Sequence, residues 1–334
     1  MVDVIDLDRC PACSGRELVL AFASENGRHN SISRLDQKLP QELDPAFAKV
    51  FARLHWTICK SCALIFAARR PPGTGSSGWY LPLFKLSEER GYDIVPLPES
   101  YVQAKAKTAG RLLDIIASKG LIGKGAHVLQ VRCATGQLLN LARQQFDADV
   151  WGLDYFPACI AHANAMLGEN RVGPIIEPEP GNPFPQKIFD VIISNHMITH
   201  SHDPALLLSR YRQWLSKDGI LVVHNELDHA KTLKSFKAYP RGINFFHKQL
   251  FTESTFISAL RNWGFEPERV RPAGTDARKF EKNMMFVCRK REPALIANGD
   301  WRTSAALLRA WEGRRRIAEW LGIVAHWKER ASCL

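Results

Sequence analysis

Residues 126–146 read AHVLQVRCATGQLLNLARQQF. The run AHVLQVRC is short and apolar and reads as a strand. ATG is a turn, and QLLNLARQQF follows as a helix. A strand that turns at once into a helix is the opening unit of a doubly wound sheet, which binds nucleotides at the carboxyl ends of its strands. The pattern continues on both sides. Upstream, KAKTAGRLLDIIASKG is a helix ending at Gly120. Downstream come strand ADVWGLD, a helix near PACIAHANAML, the loop EPEPGNPFP, strand FDVIISN, helix PALLLSRYRQWL, turn SKDG and strand ILVVHNE. Helix TESTFISALRNWG and two strands, FEPERVRP and NMMFVCRK, close the series as an antiparallel edge. Repeated strand–helix units predict an α/β fold with a parallel sheet wrapped by helices.

The regions outside this series differ in character. Residues 1–72 open with CPAC, close with HWTICKSCALIF and hold one helix-like stretch, DPAFAKVFARL, with Pro45 suited to a first helical turn. Residues 73–100 read as a linker or lid, since PPGTGSSG at 71–78 is nearly all Pro, Gly and Ser. The α/β domain spans 101–290. Residues 291–334 read as a helical tail in which Leu307, Leu308 and Trp311 share one face and Trp320, Leu321, Val324 and Trp327 another, beside a basic cluster at Arg314, Arg315 and Arg316.

Of the 334 residues, 46% are apolar and 24% charged, as in an ordinary soluble globular protein. No uninterrupted apolar run is long enough for a membrane span. The acidic, mixed start MVDVIDLDRC is not a secretory signal, so the expected location is the cytoplasm. The net charge of +11 suits an anionic partner, such as a nucleotide-sugar or other small anionic metabolite, or equally a basic surface with no partner. Lys and Arg are spread along the chain and no RNA-binding signature is present, which argues against nucleic acid. Oligomeric state is not legible.

Four of the eight cysteines form two pairs, Cys10/Cys13 and Cys59/Cys62. In a cytosolic chain, paired CxxC units favour metal over disulfides. Four thiolates suit a closed tetrahedral structural zinc site with no open position for catalysis.

The turn Gln130-Val131-Arg132-Cys133-Ala134-Thr135-Gly136 resembles methyltransferase motif I, D-x-G-C-G-T-G. Cys133, Thr135 and Gly136 agree; Gln130 stands for the acid and Arg132 and Ala134 for glycines. GLD at 152–154 resembles the second-strand end, FDVIISNH at 189–196 the fourth-strand motif, and His200 with Asp203-Pro204 the "L-E-H-V-x-D-P" that follows it, Thr199 replacing the acid. WLSKDGILVV resembles "L-K-P-G-G-x-L", and HKQLFT at 247–252 resembles "H-x-x-x-F-T". The two CxxC pairs with ALIF and ARRPP resemble the lead of bacterial zinc-containing methyltransferases that act on sugars and other cell-surface or secondary-metabolite building blocks; Ala63 replaces a glycine there.

The resemblance implies a Rossmann-like seven-stranded class I methyltransferase sheet behind a small N-terminal zinc-ribbon-like module. It implies S-adenosylmethionine held at Gln130, Arg132, Ala134, Gly136, Asp154 and Asn195, with Asp154 on the ribose hydroxyls. Arg132 either pairs with the cofactor carboxylate or fills the pocket. Methyl transfer to oxygen, or less readily to carbon, needs a base near the sulfonium. His196, His200 and His224, at the ends of the fourth and fifth strands, are the candidates. Two other readings compete: an inactive scaffold of the same fold, given the altered turn, and an RNA-base methyltransferase, against which stands the absence of an NPPY-like motif at Ser194-Asn195-His196-Met197.

Overall fold

The computed structural model describes residues 5–23, 55–70, 97, 99–168, 170–175, 184, 188–234, 247–271, 283–294 and 299–320. In chain order the elements are β1 (Ile5–Asp6), β2 (Leu18–Ala23), β3 (His55–Cys59), β4 (Ile65–Arg70), α1 (Glu99–Ser118), β5 (His127–Val131), α2 (Gln137–Phe146), β6 (Asp149–Asp154), α3 (Pro157–Leu167), β7 (Val172–Pro174), β8 (Phe189–Asn195), α4 (Pro204–Trp214), β9 (Leu215–Leu227), α5 (His229–Lys234), β10 (Gln249–Leu250), α6 (Glu253–Asn262), β11 (Phe265–Arg269), β12 (Asn283–Lys290) and α7 (Trp301–Trp320).

These elements belong to two compact units. One draws on Gly73–Glu226 and Trp263–Ala294, the other on Met1–Pro72, Leu227–Asn262 and Leu295–Leu334. The first holds a seven-stranded sheet in the order β11-β12-β9-β8-β5-β6-β7. β5 pairs in parallel with β6 and with β8, and β8 with β9, whereas β11 and β12 are antiparallel. The expected Rossmann-like sheet with an antiparallel edge is therefore present. The chain leaves β5 toward β6 and β7 on one side and returns to β8 and β9 on the other. The carboxyl ends of β5 and β8 thus flank the switch point. The central strands β5, β6 and β8 are largely apolar because both faces are covered. Val128, Val191, Ile193 and Val222 meet Leu113 and Ile116 of α1 and Leu138 and Leu139 of α2 in one buried core.

Two features depart from the sequence reading. SKDG, expected as a turn, lies within β9. The β8–β9 register jumps from Phe189↔Leu215 to Val191↔Ile220, so residues 216–219 are accommodated as an irregularity in a continuing strand. β7 completes the seven strands expected but was not located in the sequence: VGP is too short to give a period, and its pairing with β6 makes it a strand.

In the second unit the strand order is β1-β4-β3-β2, with β10 also pairing antiparallel to β4. Trp56, Ile58 and Ile65 form a core with Leu233, Leu250, Leu307, Leu308 and Trp311. The Leu307–Leu308–Trp311 face of the tail helix is thereby buried. The helix-like stretch at 44–54, the Pro–Gly–Ser run at 71–78, and Leu321, Val324 and Trp327 lie outside the described residues. Among the described residues no helix is long and apolar enough to cross a membrane.

Gly152 of β6 has no room for a larger residue. A Cβ there would lie 2.8 Å from the Cys133 Sγ and 2.9 Å from a Leu139 methyl. Gly152→Ala is expected to destabilise the chain by about 1–3 kcal/mol through overpacking. Adding Cys133→Ala should restore part of that, because it removes the nearest atom. Urea unfolding of the single and double variants measures both; an unchanged midpoint in Gly152→Ala would remove the packing constraint.

Candidate functional site

Between β5 and α2 the chain makes a tight turn. Arg132, Ala134 and Gly136 all have left-handed backbones, with φ of 63°, 49° and 72°. Glycine adopts this conformation freely, whereas other residues do so at a cost of roughly 1–2 kcal/mol each. What holds it is visible on the neighbouring strand. The Leu153 carbonyl accepts the N–H groups of Arg132 (2.7 Å) and Cys133 (3.0 Å). The Asp154 carboxylate accepts the N–H of Ala134 (2.7 Å) with one oxygen and that of Phe156 (3.0 Å) with the other. Asp154 is 1% exposed. Burial pushes its carboxyl up, and those two N–H groups and the Arg132 guanidinium oppose the shift.

Gly136 closes the turn and caps α2. A Cβ on it would sit 2.9 Å from the Ala163 Cβ of α3, so both its backbone angle and its packing require glycine.

Arg132 reaches across the switch point. Its Nη1 donates to the His196 carbonyl at 3.0 Å, and the Asn195 side-chain amide donates to the Arg132 carbonyl at 3.4 Å. The ends of β5 and β8 are thus tied from both directions.

A cavity of about 240 Å³ opens on this turn, bordered by α1, Gln130, Thr135, the first turn of α2, Asn195, His224 and Asn283. Two polar atoms on its wall are buried without a hydrogen-bond partner: Gln130 Oε1 and Thr135 Oγ1. Gln130 is 5% exposed and Thr135 0%. A buried, unpartnered acceptor costs about 1–3 kcal/mol, so the cavity wall is short of ligand atoms at these two places.

The candidate histidines separate. His224 lines the cavity, and its Nδ1 lies 3.1 Å from the Asn195 Oδ1. A side-chain amide oxygen only accepts, so Nδ1 donates and the neutral ring carries its acceptor lone pair at Nε2. His196 and His200 sit together after β8 with ring centroids 4.6 Å apart, edge to face. Their loop is held from below by Glu226. That buried carboxylate accepts the Ile198 N–H (2.7 Å), the Thr199 N–H (3.2 Å) and the Thr199 hydroxyl. Thr199, which stands where the resembled motif has an acid, is thus the donor to an acid supplied by β9. Asp203 is a helix cap: its carboxylate accepts the Leu206 N–H, and Pro204 occupies the first turn of α4.

The sequence reading did not include Glu226. The signal for it was an acid two residues after His224, just past the apolar run Ile220–Val223.

In the other unit, Cys10, Cys13, Cys59 and Cys62 have their sulfurs within 4.8 Å of one another. Cys10 and Cys62 are 3.5 Å apart and Cys13 and Cys59 3.6 Å. Four thiolates at about 2.3 Å from a shared tetrahedral centre would be spaced close to this. The two turns repeat one another: Ser14 N–H donates to the Cys10 carbonyl and Ala63 N–H to that of Cys59, each at 2.9 Å. Ser14 and Ala63 have left-handed backbones, φ 59° and 63°. This is why a glycine suits the position Ala63 fills. None of the described cysteines is in a disulfide.

A family model for a methyltransferase domain matches residues 101–270. No curated protein sequence matches the chain. Among solved structures, the geranyl diphosphate C-methyltransferase of Streptomyces coelicolor A3(2) is similar at 15% identity, over 55% of this chain and 78% of that one, with a TM-score of 0.43. A methyltransferase from Mesorhizobium loti is 18% identical over 52% of this chain and 96% of its own (TM-score 0.40). Another from Aquifex aeolicus is 16% identical over 52% and 86% (TM-score 0.39). Since the family model covers just over half of its length, the chain belongs to the methyltransferase domain family.

Proposed function

We propose that this chain is an S-adenosylmethionine-dependent methyltransferase acting on a small glycosyl or anionic metabolite, with transfer to oxygen favoured over carbon and a histidine as general base. The observation that carries the reading is the turn at the end of β5. Arg132, Ala134 and Gly136 take left-handed backbones at the three places where the resembled motif carries glycine. Two of the three residues have diverged, yet the backbone shape persists.

The residues fit the cofactor. Gln130 Oε1, buried and unpartnered, suits a donor such as the cofactor's amine. Asp154 stands at the end of β6, and its oxygens each have a lone pair beyond the one already used by backbone, on which ribose hydroxyls would draw. Asn195 ties the β8 end to Arg132. Bound there, the cofactor supplies an electrophilic methyl, so the protein's tasks are placement and proton removal.

For proton removal His224 is best placed, because it borders the same cavity as Gln130 and Thr135. Burial lowers its pKa to about 4, which keeps the ring uncharged at neutral pH. His196 and His200 remain the alternatives on the adjoining loop. The four-cysteine cluster supports a structural zinc ion in the 1–72 module, and the thiols fit a cytoplasmic protein.

Calorimetric titration of S-adenosylhomocysteine tests the cofactor reading. Binding is expected, and Asp154→Ala should weaken it more than tenfold, about 1.4 kcal/mol. Arg132→Gly should weaken it if Arg132 pairs with the cofactor carboxylate and strengthen it if Arg132 obstructs the cavity. No heat from wild type or Arg132→Gly sinks the enzyme reading.

Metal analysis of reduced protein should give about one zinc per chain, lost in Cys59→Ser. Metal-free wild type would refute the zinc site.

His224 also sets a pH dependence. Its folded pKa, about 4, lies below the ordinary 6.5, so the unfolded chain takes up a proton that the folded chain refuses. Stability from this group falls as pH drops from about 6.5 to 4, by on the order of 3 kcal/mol in total. Asp154 and Glu226, whose pKa values burial raises, act with the opposite sign over the acid range. The difference between wild type and His224→Gln isolates the histidine: the variant's stability should decline less between those pH values. Parallel curves would show that His224 does not titrate as placed.

A further inference from the structure

The cavity at the turn has one property that binding of a cationic cofactor does not explain. Its described walls contain no aspartate or glutamate, yet two cations of α1, Lys105 and Arg111, border it with Thr108 between them. Neither has a carboxylate within ion-pairing distance among the described residues. The Lys105 ammonium lies over the Tyr101 ring, 4.9 Å from its centroid. Both side chains are half-buried. Half-buried cations without a counter-ion are costly, and the cost is removed when an anion arrives. Opposite them, the first turn of α2 presents Gln137 and Leu138, bringing the positive end of that helix to the same space. Thr135 Oγ1, buried and unpartnered, is on the same wall. The helix end, the cations and the unpaired hydroxyl point to one kind of ligand atom, an anionic oxygen.

We propose that this α1-facing wall recognises a diphosphate-bearing acceptor, with Lys105 and Arg111 as the residues that select it. Residues six apart on a helix are separated by about 9 Å along its axis. One carboxylate, such as that of the cofactor's amino-acid tail, compensates one of the two cations. Two linked phosphates match both. Burial first, and then the nearby Arg132 guanidinium, hold the Lys105 ammonium below its ordinary pKa, against the opposing pull of Cys159 and Asp154. The inference rests on the methyltransferase reading for the word acceptor, and it narrows the substrate to a nucleotide-sugar or another diphosphate ester.

The test uses the full-length chain and inorganic pyrophosphate, titrated by calorimetry at fixed ionic strength, with and without saturating S-adenosylhomocysteine. Pyrophosphate should bind wild type, bind K105Q/R111Q at least tenfold more weakly, and bind Lys107→Gln within twofold of wild type. Lys107 is exposed on α1 and outside the cavity wall, so it controls for diffuse positive charge. Pyrophosphate affinity should be undiminished by S-adenosylhomocysteine. Thermal melts verify that the variants fold, and the single Arg111→Gln replaces the double variant if that one does not. Equal loss in K105Q/R111Q and Lys107→Gln would overturn the site as diffuse surface attraction. Competition between the two ligands would also overturn it, assigning the cations to the cofactor's tail. If S-adenosylhomocysteine binds and pyrophosphate does not, the diphosphate site falls and the methyltransferase reading stands. If pyrophosphate behaves as expected and S-adenosylhomocysteine binds nowhere, the methyltransferase reading falls and the anion site remains.

Discussion

The carboxylate of Asp154 fixes the shape on which the candidate site depends. It is buried, it spans from the end of β6 to the turn after β5, and it takes one backbone N–H from each side. Charge-assisted bonds of this kind are roughly twice as strong as neutral ones. Together with the Leu153 carbonyl they oppose the strain of two non-glycine residues in left-handed conformations. Releasing Ala134 from Asp154 would leave one oxygen of a buried carboxylate without its donor and a backbone N–H without its acceptor at once. The turn is therefore over-determined from the β6 side. That explains how Arg132 and Ala134 hold left-handed backbones that glycine would adopt freely.

A second tie crosses to the other side of the switch point. Arg132 donates to the His196 carbonyl, and Asn195 donates back to the Arg132 carbonyl. His224, one strand further, shares Asn195. Glu226 then holds the loop that carries His200. Turn, strand ends and histidines form one connected set of polar bonds around a crevice that the sheet topology created. Displacing Arg132 would disturb the β8 end as well as the space beside the turn.

Much of this was legible in the sequence, for definite physical reasons. Parallel strands covered on both faces produce short apolar runs such as HVLQV and FDVIISN, and these located β5 and β8. The CxxC pairs were legible because two thiols on one knuckle have few other uses. What sequence periodicity cannot carry is long-range pairing. Nothing in Gln249-Leu250 announces that it joins β4, more than 180 positions earlier, and nothing in SKDG distinguishes a turn from an irregularity inside a strand. Glu226 was missed for the same reason: its partners, Ile198 and Thr199, are adjacent only because β8 and β9 are paired. Roles set by backbone shape were also hidden. The substitution of Ala63 for glycine shows in the sequence, but the left-handed angle that gives it meaning does not.

The N-terminal module is not a separable bead. Its sheet gains β10 from residues 249–250, and its core residues Trp56 and Ile65 are covered by Leu250, Leu307, Leu308 and Trp311. The Ala63 carbonyl, one residue past Cys62, accepts the Ser304 hydroxyl at 2.8 Å, and the Ser61 carbonyl accepts the Gly299 N–H at 2.9 Å. The tail helix is thus bonded to the same knuckle that carries two of the four cysteines. Trp56 is fully buried, and fully burying a large apolar side chain contributes about 1.5–3 kcal/mol. Leu307, Leu308 and Trp311 of the tail helix belong to the cluster that buries it. A metal held by the cysteines, as proposed, would therefore stabilise the same structure as docking of residues 299–311, so each would favour the other. The linear order of a module, a linker, a domain and a tail conceals this coupling between the two ends of the chain.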